Sequence, residues 1–139
     1  MKKQVTTYEE LEQIAARQLG GLVKPQALGF VLSGLEFALR GLRQRRHISG
    51  QELCSAVRDM AAREYGLMAK EVLNEWGIDS TEMIGRIVFA LVESKKMTKT
   101  DEDSLADFTQ VFDFDEAFSP AAILKASREV RPRARRRPS

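Results

Sequence analysis

His47 and Cys54 are the only imidazole and the only thiol in the chain, and they stand seven positions apart. On one continuous helix that spacing puts two side chains two turns apart on one face, where they could share a metal ion or act as base and nucleophile. Ser49-Gly-Gln-Glu52 lies between them with the pattern of a helix start, so one helix does not span both. The expectation is a loop histidine and a small buried thiol. The chain has no glycine-rich phosphate loop and no second histidine or cysteine, so the reading is a non-enzyme with no metal and no cofactor.

Carboxylates form the second group. Asp101, Glu102, Asp103, Asp107, Asp113, Asp115 and Glu116 fall between residues 100 and 118 with no basic residue among them. A calcium loop needs oxygen ligands at alternating positions, a glycine at the sharp turn and a terminal bidentate glutamate, and neither stretch has that pattern. Acids in the first turns of helices, favoured by the helix dipole, account for the composition. The same acids could dock a basic surface, which makes Asp113, Phe114, Asp115 and Glu116 the candidate protein interface.

Arginines form the third group. Arg131, Arg133, Arg135, Arg136 and Arg137 fall within seven residues, with Pro132 and Pro138 disfavouring helix. Guanidinium groups so spaced can neutralise phosphates without reading sequence. Arg40, Arg43, Arg45 and Arg46, followed by His47, form a second basic cluster at the expected end of a helix, where the dipole alone favours cations. No aromatic residue interleaves with either cluster, so backbone contact is expected rather than base stacking.

The elements that must position these groups follow from periodicity and caps. Thr7-Tyr-Glu-Glu10 is a capping box, and Leu11, Ile14 and Ala15 continue at helical spacing to a stop at Gly20-Gly21. Pro25 suits the first turn of a second helix whose apolar stripe of Leu28, Val31, Leu32, Leu35, Leu39 and Leu42 runs to about Arg46; Ser33 and Gly34 inside it favour close packing. Ser49 caps a third helix ending at Tyr65-Gly66, and a short fourth runs from Leu67 to about Trp76. Asp79, Ser80 or Thr81 caps a fifth, in which Met83, Ile84, Ile87, Val88, Leu91 and Val92 leave little polar surface; that segment is the expected core helix.

Thr100 suits the cap of a brief acidic turn or helix at 101–108. Residues 109–114 carry β-branched and aromatic side chains that fit a short extended piece, while the spacing of Phe108 with Phe112 and Phe114 with Phe118 fits a helical continuation. Pro120 opens a last short helix to about Arg128. The fold class is mainly α, a compact bundle of about five to six short helices. Residues 7–128 form one domain, with a flexible 1–6 before it and a disordered arginine-rich 129–139 after it.

At 139 residues, 43% hydrophobic and 30% charged, the composition is that of a single globular domain. The net charge of +2 conceals a division. Residues 119–139 hold seven basic residues against Glu129 alone, leaving an excess of four negative charges in 1–118. No apolar run approaches a membrane span or a signal sequence, and one cysteine needs no oxidising compartment, so the expected setting is cytoplasmic without membrane contact.

His47-Ile-Ser-Gly-Gln-Glu-Leu53, Tyr65-Gly66, Trp76-Gly-Ile78, Thr81-Glu82, Ile87-Val-Phe-Ala-Leu-Val-Glu93, Lys99-Thr-Asp-Glu-Asp103, Asp107-Phe108 and Phe112-Asp-Phe-Asp-Glu-Ala-Phe118 together resemble an uncharacterised bacterial family found chiefly in planctomycetes and verrucomicrobia. The resemblance covers about residues 8–118 and implies a bacterial domain with no assigned activity, cofactor or site. Trp76 is expected in the core, although a partner groove around His47, Trp76 and Phe114 is an alternative. The leading functional expectation is a binding module whose body contacts a protein partner and whose arginine-rich segment gives salt-sensitive attachment to RNA or a ribonucleoprotein. The alternative is a protein-protein adaptor or homo-oligomer using the acidic, aromatic 100–118 segment.

Overall fold

The computed structural model describes residues 2–3 by their backbone, and residues 6–44 and 46–126 in full. The arginine-rich segment 131–137 and Arg45 therefore lie outside the described residues. The fold is mainly helical, with the helices in the order α1 (Tyr8–Gln18), α2 (Pro25–Arg40), α3 (Gly50–Tyr65), α4 (Ala69–Glu75), α5 (Thr81–Glu93) and α6 (Phe114–Ala117). A further helical stretch covers 120–126. Two-residue strands, β1 (Lys2–Lys3) and β2 (Met97–Thr98), pair antiparallel, so the backbone of Lys2 and Lys3 contributes to the fold.

The starts of the helices follow the sequence closely because caps are local. Thr7 with Glu10, and Ser49 with Glu52, form complete capping boxes. Among the three candidates before α5, the Ser80 hydroxyl accepts from the Met83 N–H at 3.2 Å and is the cap. Thr81 is not a cap: it is 1% exposed, donates its hydroxyl to the Phe108 carbonyl at 2.7 Å and accepts from the Val111 N–H at 3.2 Å. That one side chain ties the base of α5 to the acidic segment.

Two expectations about extent are corrected. α2 ends at Arg40 rather than near Arg46. Gly41 weakens the helix there, and the chain must turn to bury Ile48, which is 1% exposed, before Ser49 can cap α3. Residues 109–113 are turns and bends, not a strand, because the Gln110 and Val111 N–H groups are taken by Glu82 and Thr81 side chains, and helix begins at Phe114, in keeping with the spacing of Phe114 and Phe118. The short extended piece lies instead at Met97–Thr98. After it, the acidic run forms a turn at 101–102 and a 3₁₀ turn at Leu105–Phe108, within the expected turn or short helix.

α5 is the core helix: Thr81, Ile84, Gly85, Ile87, Val88, Ala90 and Leu91 are buried. α2 and α3 pack closely at Gly34, where an added Cβ would come within 2.7 Å of Val57 Cγ2. Phe108, wholly buried, lies between α3 and α5. An added Cβ at Gly85 would fall 2.7 Å from its Cβ and Cγ, and one at Gly50 would fall 2.9 Å from its Cζ. The two glycines make the slot that seats this ring, and the ring anchors the acidic segment on the bundle. No helix among the described residues is long and apolar enough to cross a membrane.

Candidate functional site

Lys70 and Asn74 on α4, Asp79 to Glu82 at the start of α5, and Gln110 to Asp115 leading into α6 enclose a cleft of about 610 Å³. Thr81 and Glu82 build one wall. The Thr81 hydroxyl holds the Phe108 carbonyl, and Glu82 Oε2 accepts from the Gln110 N–H at 3.0 Å. Gln110 adopts a left-handed backbone, φ 46°, which turns the chain so that Phe112 and Asp113 come back toward α4. Asp113 Oδ1 caps α6 through the Glu116 N–H at 3.0 Å, and Lys70 pairs with Asp115. That partner holds the Lys70 ammonium above its ordinary range.

The cleft is acidic. Asp79, Glu82, Asp113 and Asp115 line it against Lys70 as the one base. Asp79 is exposed and has no hydrogen-bond or ion-pair partner among the described residues. An aromatic cluster supports the far wall: Phe112 stacks on Phe114 at 5.6 Å, and Phe118 meets both edge-on at 6.3 and 5.2 Å. The Arg58 guanidinium stands 5.5 Å from the Phe112 ring centroid, so this ring already carries one cation.

The candidate interface residues thus divide. Asp113 and Asp115 line the cleft. Phe114 lines it too but is 7% exposed, so it acts as core wall and not as an exposed anchor. Glu116 is exposed and outside the lining residues. Lys70, Asn74, Asp79, Glu82 and Gln110 also form the site, and the sequence pattern gives them only the ordinary roles of a helix surface and a helix start. The one local signal is the run of acids flanking the Ser80 cap, and nothing in it indicates residues 110–115 as the other side.

The basic cluster is dispersed by the end of α2. Arg40 pairs with Glu36 at 3.2 Å, and Arg46 makes a two-pronged contact with Glu52 at 3.0 and 2.7 Å. Glu52 also completes the Ser49 cap. The Arg46 guanidinium and then the Ser49 N–H hold its carboxyl down at about 2. Arg43 is exposed in the turn after α2. Two of these arginines therefore serve local carboxylates, while Arg45, Arg131, Arg133, Arg135, Arg136 and Arg137 fall outside the described residues.

His47 and Cys54 sit in different surroundings. Cys54 is buried, and burial followed by the nearby Glu82 charge pushes its thiol up to about 12. His47 Nε2 meets Asp103 Oδ1 at 2.9 Å. Among the described residues no three of His, Cys, Asp and Glu are grouped to hold a metal ion. Trp76 packs with Phe30 and Tyr65 at 5.4 and 5.8 Å, whereas Phe114 packs with Phe112 and Phe118, so Trp76 and Phe114 belong to separate aromatic clusters. No protein-family model, curated protein or solved structure matches the chain.

Proposed function

We propose that this protein is a non-enzymatic binding module whose acidic cleft receives a cationic polypeptide segment of a protein partner. The observation that carries the reading is Asp79, without a partner among the described residues, facing the same cleft as Glu82, Asp113 and Asp115, with Lys70 the one base among the described lining residues. The cleft is of ligand-pocket size, and the buried Thr81–Phe108 contact ties its two sides together. Arginine or lysine side chains entering it would gain carboxylate contacts.

A labelled peptide of alternating arginine and alanine tests this by fluorescence anisotropy. It should bind the protein at low salt and weaken about 3- to 160-fold in a D79N/E82Q/D113N variant, given about 0.2–1 kcal/mol for each of three exposed ion pairs lost. Asparagine at 113 still caps α6, and glutamine at 82 still accepts from Gln110, so the fold is retained. Equal binding by the variant would remove the cleft from consideration.

A second reading rests on the five arginines at 131–137, which supports salt-sensitive attachment to RNA or a ribonucleoprotein. Under either reading the cytoplasmic and bacterial setting suggested by the sequence belongs to the proposal.

A further inference from the structure

We infer that the arginine-rich segment 131–137 of the same chain occupies the acidic cleft when no partner is bound, so that the protein blocks its own site. The inference rests on the reading of the cleft as a receptor for cationic polypeptide, and it names the resident competitor.

Charge, position and length support it. The cleft sets four carboxylates against one ammonium, and the segment carries five arginines and no acid. The chain leaves the core beside the cleft. Phe118 packs on Phe112 and Phe114, which line it, and the 120–126 helix follows, held by Ile123 at 3% exposure. From Pro120 to Ala126 the helix advances about 9 Å. The five residues from there to Arg131 can extend about 17 Å, and the eleven to Arg137 about 36 Å. Each arginine of the segment is therefore within reach of the cleft without moving the bundle.

Tethering makes weak contacts sufficient. A short flexible connection gives an effective concentration in the millimolar range, so a cleft that binds free cationic peptide only at millimolar affinity is still substantially occupied by its own segment. One set of guanidinium groups cannot neutralise RNA phosphates and the cleft carboxylates together. Binding of nucleic acid to the segment would then open the cleft, and binding of a basic partner in the cleft would release the segment. The two proposed activities become a reciprocal switch.

Paramagnetic relaxation on the full chain tests the arrangement. A nitroxide attached through Ser139→Cys labels the introduced thiol selectively, since Cys54 is buried. At low salt the amide signals of Asn74, Gln110 and Asp113 should be attenuated. They should recover at about 0.5 M salt, where the Debye length is about 4 Å, and in a chain with R131Q, R133Q, R135Q, R136Q and R137Q together. Full signal at low salt, or attenuation that survives the five substitutions, overturns the inference. So does attenuation transferred from spin-labelled to isotope-labelled copies in a mixture, since that places the segment in a second molecule.

The free arginine–alanine peptide keeps the two proposals separable. Added to the five-glutamine chain, it should shift the same three amides. If it does so while the native segment causes no attenuation, the cleft reading stands and self-occupancy fails. If it shifts nothing, the cleft reading itself fails.

Discussion

Asp103 holds His47 across 56 positions of sequence: Nε2 of the imidazole meets Oδ1 at 2.9 Å, while Oδ2 accepts from the Thr100 N–H at 2.8 Å. The carboxylate side chain is only 5% exposed and the imidazole 37%. Burial alone would raise the Asp103 carboxyl, but the Thr100 and His47 contacts outweigh it and leave the group below its ordinary range. The contact fastens the loop before α3 to the acidic segment, close to the Phe108 slot. It is a structural clasp, and it accounts for the one buried charged residue among those described.

Removing the clasp should therefore cost stability. Asp103→Ala strands the Thr100 N–H and leaves His47 without this acceptor, so the expected loss is about 1–3 kcal/mol in urea unfolding. Asp103→Asn preserves one acceptor and should lose less. Equal stability of the alanine variant and the parent would show that the contact contributes nothing.

Acid should weaken the start of α3. Glu52 is held at about 2 in the folded protein against an ordinary 4.5, so the unfolded chain takes up the proton first. The sign is that of a depressed acid: stabilisation is complete above about pH 4.5 and is lost as pH falls toward 2. Because the side chain is 40% exposed, solvent screening reduces the effect to about 1 kcal/mol. Comparing parent and Glu52→Gln unfolding between pH 7 and pH 3 checks this; the difference between them should shrink as pH falls.

Gly85→Ala should destabilise by about 1–3 kcal/mol through overpacking, because the new methyl meets the Cβ and Cγ of Phe108, near the backbone of a fully buried ring. The helix propensity gained from alanine offsets less than about 1 kcal/mol of that. Thermal unfolding should occur several degrees lower. A Gly85→Ala/Phe108→Leu pair should recover little of the loss, since leucine keeps the Cβ and Cγ that the methyl meets.

Cys54 should resist thiol reagents in the folded protein. With the thiol pushed up to about 12 and the side chain buried, almost no thiolate exists at neutral pH. Modification by an aromatic disulfide reagent should track unfolding in denaturant. Rapid labelling without denaturant would contradict the packing of α3.

Retention on single-stranded RNA should separate the arginines by role. If the five arginines of 131–137 each neutralise a phosphate, the logarithm of affinity should fall with the logarithm of salt with a slope of about −3.5, and the five glutamine substitutions should abolish it. Arg40→Gln and Arg46→Gln should change the slope little, since Glu36 and Glu52 already engage those side chains. A slope unaffected by the five substitutions would assign phosphate contact to the body.

The caps, stops and apolar stripes are properties of neighbouring residues, so the sequence alone determined them: Thr7 with Glu10, Ser49 with Glu52, Gly20-Gly21, and the α5 stripe that became the core. The division of charge between body and C-terminal segment is likewise visible in composition. Tertiary structure decided which polar residues meet. Thr81 has the type of a cap but satisfies Phe108 and Val111, 27 and 30 positions away, because burying it obliges its hydroxyl to bond whatever packs against it. Arg46 belongs to a basic run by sequence and to Glu52 by geometry. Asp79 joins Asp113 only because the Phe108 ring, seated between two glycines, brings residues 110–115 back to the start of α5. Long-range pairing depends on how buried volumes fit, and no local pattern encodes that fit.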